Sequence, residues 1–408
     1  MKVYAVGGAV RDELLSLPII DRDFVVVGMT PQQMIEAGFK PVGADFPVFL
    51  HPQTHEEYAL ARTERKVAPG YKGFVFHAAP TVTLEQDLAR RDLTINAMAK
   101  DSNGHLIDPY GGQADLHHKL LRHVGDAFRE DPVRILRTAR FAARFAALGF
   151  TVADETTALM RDMVAADEVD ALVPERVWTE LARGMMEAAP SRMFEVLRSC
   201  GALACIAPEI DRLWGVPQAS ASHPEIDTGV HVMMVLDYAA SIQASLPVRF
   251  AALTHDLGKA VTPAQYLPRH PGHELKSVEL VEAMSARLKI PADCRDLSVT
   301  VARWHGDIHN ALSLSGKKLL ALMDGCDALR RPDRFGDVLT SSACDHHGRL
   351  GFATTPYPPQ VYLWRALARL QSLDFGDIAK AHPTTVADAI ALAKLHALQQ
   401  FIEEEQQT

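Results

Sequence analysis

Residues 1–28, MKVYAVGGAVRDELLSLPIIDRDFVVVG, decide the fold of the N-terminal part of this chain. They read as a short apolar strand over residues 3–6, a turn at Gly7-Gly8, one or two helical turns, and a second strand entered through Asp21-Arg22-Asp23. Side chains two apart in a strand point the same way, so the pattern aims the Asp21 and Asp23 carboxylates at one small volume beside the turn. Mg²⁺ prefers such hard oxygen ligands, usually one or two carboxylates completed by substrate phosphates. Glycines with free backbone N–H groups, Gly8 first among them, let a polyphosphate approach a helix start. Arg11, just inside that start, adds a charge-assisted bond. Alone, Gly-Gly is an ordinary turn and Asp-x-Asp a solvated strand entry; joined, and followed by Val25-Val-Val, they predict a site for metal and phosphate.

Outward from this stretch, strands alternate with helices to about residue 121. Thr30-Pro31 is a cap followed by proline at a first helical position, and FPVFLH (46–51) and EEYALAR (56–62) read as further strands of one sheet. Glu57, on one of them, is the candidate third carboxylate. VAPGYKG (67–73) reads as a loop, and Thr83 as the cap of a helix that carries Arg90, Arg91 and Asp92. Asp108-Pro-Tyr-Gly-Gly closes the domain with a turn. From about residue 122 strand signals stop and helical periodicity takes over. GVPQASAS (215–222) reads as a linker. A second helical unit spans about 228–330, and a helical tail is broken at Tyr357-Pro-Pro.

A chain of 408 residues with 48% apolar content has room for two to four compact units. Its five cysteines are odd in number and form no C-x-x-C pair, which argues against a disulfide framework or zinc ribbon and fits a reducing cytoplasm. The first residues enter a strand at once and no run of about 18 apolar residues follows, so neither export nor membrane insertion is expected. A net charge of −9 sits badly with nucleic acid, whose phosphates call for Lys and Arg. Residues 1–144, however, hold 18 basic and 18 acidic residues, so the acidity lies farther on; residues 122–144 alone carry six arginines against three acids. A local basic face is therefore available beside the proposed chemistry.

Two further constellations stand out. In Glu130-Asp131-Pro-Val-Arg134, Asp131 and Arg134 are three apart at a helix start and thus neighbours on one face. A carboxylate only accepts hydrogen bonds and a guanidinium only donates. That pair matches the amine and ring acceptor shared by cytosine and adenine, and mismatches guanine and uracil. Seven histidines fall between 223 and 309, and His255-Asp256 follows the apolar segment VRFAALT. Both can reach one metal at a helix end, where Gly258 supplies backbone freedom. Mixed imidazole and carboxylate ligation suits Mn, Fe, Ni, Co or Zn.

The two-part signature of residues 1–28 resembles the nucleotidyltransferase superfamily to which DNA polymerase β belongs. ARRDLTINAMA (89–99) and REDPVRILRTARF (129–141) resemble the class II tRNA nucleotidyltransferases, the CCA-adding enzymes, and THDLGK (254–259) narrows this to the bacterial multifunctional type with a fused HD domain. The resemblance implies an α/β nucleotidyltransferase (polymerase β-like) head over 1–121, then an all-α neck and body over 122–215, an HD domain over 228–330 and a tail over 331–408. It implies addition of CCA to tRNA from CTP and ATP with Mg²⁺, and contact with the acceptor and T arms. It further implies HD-domain phosphatase, 2'-nucleotidase and 2',3'-cyclic phosphodiesterase activities with a transition metal such as Ni²⁺, Mn²⁺ or Co²⁺. By that resemblance Arg91 binds triphosphate, Asp131 and Arg134 read the base, and Arg137 and Arg140 lie near nucleotide. His231, His255, Asp256 and Asp327 are the HD ligands, with Asp324 as rival to Asp327; His273 and His305 are candidates to hold phosphate or a second metal. Monomer and homodimer both remain open. The rival functions are a poly(A) polymerase, against which the acidic end FIEEEQQT speaks, and an HD phosphohydrolase with a nucleotide-sensing head.

Overall fold

Val25 and Val26 are both 1% exposed although they point to opposite faces of their strand, so the sheet that contains them is covered on both sides. The computed structural model describes residues 1–42, 48–66 and 74–407; the loop expected at 67–73 lies outside the described residues. The chain divides into two compact units, residues 1–184 with 192–206, and residues 185–191 with 207–408.

In the first unit the strands are β1 (Lys2–Val6), β2 (Asp23–Val27), β3 (Lys40–Val42), β4 (Val48–Leu50), β5 (Glu57–Leu60), β6 (Thr63–Lys66), β7 (Phe74–His77), β8 (Ala99–Lys100), β9 (Leu106–Ile107), β10 (Leu120–Leu121) and β11 (Thr151–Val152). Its helices are α1 (Gly8–Leu14), α2 (Pro31–Glu36), α3 (Leu84–Ala89), α4 (Gly112–His118), α5 (Val133–Arg144), α6 (Asp154–Ala165), α7 (Pro174–Met185), α8 (Ser191–Ser199) and α9 (Ala202–Ile206). Seven strands form one mixed sheet in the order β3-β4-β5-β2-β1-β8-β9. Val25 packs on one face with Val6, Leu84 and Leu88, and Val26 on the other with Met34, Phe39 and Phe49. Each such burial is worth about 1.5–3 kcal/mol. Thr30 and Thr83 cap α2 and α3, each in a reciprocal box with a glutamine three residues on.

Several expectations need correction. The second strand begins at Asp23, not Asp21, because β1 ends at Val6, the register partner of Asp23, and Asp21 has no strand opposite it. Helix α3 stops at Ala89, so Arg91 and Asp92 lie beyond its end, where Leu93 bridges to His123. The turn expected at Asp108 falls at Pro109-Tyr110, and the Asp108 carboxylate accepts from the Gly112 and Gln113 N–H groups that open α4. Strand pairing also continues past residue 122, since β10 pairs in parallel with β11 and α5 lies in the crossover that a parallel pair requires.

The second unit continues with α10 (Pro208–Asp211), α11 (Thr228–Ser241), α12 (Leu246–Thr254), α13 (His273–Leu288), α14 (Ala292–His309), α15 (Gly316–Gly325), α16 (Pro332–His347), α17 (Pro358–Gln371), α18 (Phe375–Ala381) and α19 (Val386–Gln406). Val235, Ala251, Val301, Leu339, Leu363, Leu398 and Phe401 belong to one buried core, so the tail helices α17 and α19 share the core of α11, α12, α14 and α16. The expected linker at 215–222 is pinned at its middle and exposed at Ala219 to Ser222: Gln218 is buried, its N–H donates to Ile226 O at 2.7 Å, and Pro217 bridges to Asp227. No described helix is long and apolar enough to cross a membrane, and all five cysteines are free thiols.

Candidate functional site

The first unit holds a cleft of about 510 Å³, in the range of small-ligand sites, lined by Gly7, Gly8, Arg11, Asp23, Arg90, Arg91, Asp92, Asn96, Asp131, Arg134, Arg137, Arg140, Phe141, Arg144 and Arg176. Eight arginines face three aspartates there, a surplus that suits a polyanion. Gly7 turns with φ +70°, and a Cβ on it would stand 2.7 Å from Arg91 Nη1, so only glycine lets that guanidinium rest on the turn. Asp23 reaches the same place because it shares its strand face with Val25, against which Leu84 and Leu88 of α3 pack.

Burial raises the Asp23 carboxyl above its ordinary pKa; Arg91 opposes this and the nearby Asp21 charge adds to it. Two carboxylates that repel each other in a partly desolvated place fit a hard divalent cation, which takes one or two carboxylates and completes its shell with phosphate oxygens. Glu57 is the register partner of Asp23 and borders, with Asp21 and Asp23, a second hollow on the other side of that carboxylate. Among the described residues, no third ligand atom closes on Asp21 and Asp23.

The cleft arginines are held by a buried network. Arg11 donates to Asp12 Oδ1 at 2.8 Å and Asn96 Oδ1 at 2.5 Å and lies 5.0 Å from the centre of the Phe141 ring. Asn96 Nδ2 donates to Asp92 Oδ1 at 2.9 Å, and Arg137 Nε donates to Asp92 Oδ2 at 2.8 Å. Burial alone would raise the Asp92 carboxyl, but the Arg137 charge and these bonds hold it below the ordinary carboxylate value. Arg140 Nε donates to Glu180 Oε2 at 2.6 Å. Arg91 is held more loosely, 3.4 Å from Asp87 Oδ2 and from Asn96 O, and its buried Nε has no hydrogen-bond partner.

Asp131 is not on the helix with Arg134: α5 begins at Val133, and Asp131 is extended ahead of Pro132, accepting from the Val133 N–H at 3.1 Å. Its carboxylate is gripped by Arg176 on α7, while Arg134 Nη1 donates to Ala127 O at 2.8 Å. Both residues nevertheless face the cleft.

In the second unit α11, α12, α13, α14 and α16 bring histidines and carboxylates to one buried place. His231, His255 and Asp345 have ligand atoms within 4.8 Å of one another, as do Asp256, His273 and His305, and His223, Glu225 and His231. His255 Nε2 lies 3.1 Å from Asp256 Oδ2, which joins the first two groups. His255 Nε2 and Asp256 Oδ1 are buried without an aligned hydrogen-bond partner, and lone pairs left unmatched in this way fit a metal ion. Burial would raise the Asp256 carboxyl, but Lys259 and His255 hold it well below its usual range; Lys259 Nζ is 2.7 Å from Asp256 Oδ2. Gly258 serves by its missing side chain rather than by backbone freedom, since a Cβ would come within 2.1 Å of His273 O.

Asp327 does not join this cluster: its carboxylate lies 3.8 Å from Arg330 and 3.5 Å from Arg331. Its rival Asp324 is bound to Lys394 at 2.6 Å. Asp345 takes that place, 3.1 Å from His231 Nε2, 3.9 Å from His255 Nε2 and 2.5 Å from His309 Nε2, and the Tyr357 hydroxyl fixes the other face of His309 at 2.8 Å.

Part of each site falls in a matched segment, while the cleft residues from Asp131 to Arg144 and the cluster residues His223, Glu225 and Asp345 lie between or beyond them. The poly A polymerase head domain matches residues 3–122, a probable RNA- and SrmB-binding site of polymerase A matches 149–213, and the HD domain matches 228–329. The multifunctional CCA protein of Herminiimonas arsenicoxydans is 61% identical over 411 residues, covering 99% of this chain and 99% of the relative. That of Janthinobacterium sp. (strain Marseille) is 64% identical over 380 residues, 93% of this chain and 91% of the relative. The chain belongs to the multifunctional CCA protein family. The solved CCA-adding enzyme of Bacillus stearothermophilus in complex with CTP shares the fold with a TM-score of 0.65 at 22% identity, over 99% of this chain and 89% of that one. The Thermotoga maritima CCA-adding enzyme complexed with tRNA does so with a TM-score of 0.59 at 18% identity, over 99% and 90%.

For a multifunctional CCA protein, the sequence motifs missed several residues that the fold brings in. Arg176 and Glu180 lie on α7, 45 residues beyond the Asp131 and 40 beyond the Arg140 that they contact, and carry no spacing signal of their own. Asp345 does leave a trace: it continues the helical stripe of Phe335, Val338 and Leu339 on α16, where an aspartate needs a buried partner.

Proposed function

We propose that this chain adds CMP, CMP and AMP to the 3' end of tRNA from CTP and ATP, releasing pyrophosphate, and that its HD unit is a metal-dependent phosphohydrolase. The observation that carries the first part is the cleft in which Gly7, Asp23 and eight arginines meet, in a chain 61% identical to a multifunctional CCA protein along its length. Arg11 and Arg91, beside the Gly7-Gly8 turn, bind the triphosphate and orient its α-phosphorus for in-line attack by the tRNA 3'-hydroxyl. Asp131, oriented by Arg176, accepts from the exocyclic amine shared by cytosine and adenine, and Arg134 donates to their ring nitrogen. The arginine excess of the cleft holds the leaving pyrophosphate charge. Asp21 and Asp23 would hold Mg²⁺, which supplies stabilisation of the attacking alkoxide and of the leaving group when bound. The helical body that follows reads the acceptor and T arms of tRNA by backbone shape.

The HD cluster, with its orphaned His255 and Asp256 atoms, supports hydrolysis of phosphomonoesters, 2'-nucleotides and 2',3'-cyclic phosphates. A transition metal such as Ni²⁺, Mn²⁺ or Co²⁺ on these residues would supply Lewis-acid polarisation of a phosphoryl oxygen. The free thiols and the lack of a described spanning helix favour a reducing, cytoplasmic setting.

The test is to give purified protein tRNA shortened by one, two or three 3' nucleotides with each nucleoside triphosphate alone. The proposal requires CTP to extend only the two shorter substrates and ATP only the one that lacks the terminal A. Long runs of A from ATP alone would instead identify a poly(A) polymerase, and no extension of any substrate would leave the head a sensor.

A further inference from the structure

Gly348 closes α16 against α11 so tightly that a Cβ on it would stand 2.5 Å from Val235 Cα, and this close approach lays the next residue, Arg349, beside the metal cluster. Arg349 Nη2 lies 3.3 Å from Asp345 Oδ1, an oxygen that already faces His231 Nε2 at 3.1 Å. Its Nε is buried and has no hydrogen-bond partner. A guanidinium carries five N–H donors, so one long contact leaves most of them unspent on a side chain that is only 15% exposed. The segment is pinned in place: the Leu350 N–H donates to Glu225 Oε2 at 3.2 Å, and Glu225 shares a ligand group with His223 and His231.

We propose that Arg349 is the anion-holding residue of this cluster and takes the phosphoryl oxygens of a phosphate ester. The inference rests on the phosphohydrolase reading of the HD unit. The ion pair with Asp345 takes one donor of the guanidinium and leaves the buried Nε without a partner, so it does not account for the whole side chain. Asp345 stands between Arg349 and the cluster and takes only its Nη2, so the guanidinium keeps donors for a second anion that approaches the same place. A phosphate ester suits this place, since one non-bridging oxygen can accept from the Arg349 guanidinium while another would face a metal held by the cluster.

The experiment compares the full-length, metal-loaded wild type with Arg349→Ala, Arg349→Gln and Arg349→Lys. It reads metal content by mass spectrometry, inorganic phosphate binding by calorimetry, and KM and kcat for 2',3'-cyclic AMP. The expected result is unchanged metal content, with phosphate affinity and KM weakened about tenfold or more in the Ala and Gln variants. Arg349→Lys, which keeps a charge without the fork, falls between. Phosphate affinity and KM within about twofold of wild type in both neutral variants, in an enzyme that does hydrolyse the substrate, overturn this proposal alone. Loss of metal in the neutral variants with recovery in Arg349→Lys shows a residue that merely balances Asp345, and also overturns it. A wild type that neither binds phosphate nor hydrolyses the ester brings down the phosphohydrolase reading and this proposal with it.

Discussion

Arg176 holds both oxygens of the Asp131 carboxylate, Nη2 to Oδ2 at 2.7 Å and Nη1 to Oδ1 at 3.2 Å, across 45 residues of sequence. A carboxylate has about four acceptor positions, so this grip orients the group while leaving positions open for the amine of an incoming base. On the proposed base reading, selection of cytosine and adenine would depend on an acceptor fixed before nucleotide arrives. This is electrostatic preorganisation of the type that avoids reorganising polar groups during binding.

Replacing Arg134 or Asp131 with alanine tests that selection. A mismatched edge leaves buried polar groups unpaired at a cost of about 1–3 kcal/mol each, or roughly ten- to a hundredfold in selectivity. Arg134→Ala is expected to depress use of CTP and ATP together and to narrow their advantage over UTP and GTP by that factor. Steady-state kinetics with each triphosphate measures it; full discrimination in both variants places base selection elsewhere.

Gly7→Ala probes the turn under Arg91. The residue has φ +70° and ψ −128°, and the added Cβ would press on Arg91 Nη1. The strained backbone costs about 1–3 kcal/mol, and the guanidinium must swing away from the triphosphate position. Thermal unfolding should show a modestly destabilised but folded protein, and KM for CTP and ATP should rise about tenfold, the loss of one charge-assisted bond. Wild-type KM values would mean that Arg91 does not need its seat on the turn.

The strand through Val25 and Val26, the two threonine caps and the placement of Asp23 beside the Gly7-Gly8 turn were legible in the chain, because each is a local consequence of side-chain direction or backbone geometry. The two-residue strands β10 and β11 were not, since a segment of that length has no periodicity to read. Nor was the choice of Asp345 over Asp327, which depends on where α16 lies against α11. That placement follows from the fit of Gly348 on Val235, a contact between residues 113 apart.

The HD ligand set makes a paired prediction. His255→Ala with Asp256→Ala is expected to abolish hydrolysis of 2',3'-cyclic phosphates and metal uptake by the HD unit while leaving CCA addition intact. Asp345→Asn, which keeps the shape and removes the charge, should weaken metal binding about ten- to a hundredfold, as loss of one ligand or its support does. Asp327→Asn should not, because its carboxylate faces Arg330 and Arg331. Metal titration of the variants decides between the two aspartates: equal loss in both, or loss only in Asp327→Asn, contradicts the assignment.

The most direct measurement of the central claim is nucleotide addition by Asp23→Ala and Asp21→Ala on tRNA that lacks its three terminal nucleotides, run beside a tRNA-binding assay. Asp23 opens the central strand β2 beside the Gly7 turn and Arg91, and its carboxyl is raised by burial with the Asp21 charge adding to the shift. The account predicts that both variants bind tRNA with nearly wild-type affinity and extend it at no more than about one hundredth of the wild-type rate, the loss that follows removal of a group stabilising the transition state. Substantial CCA addition in both variants would contradict it.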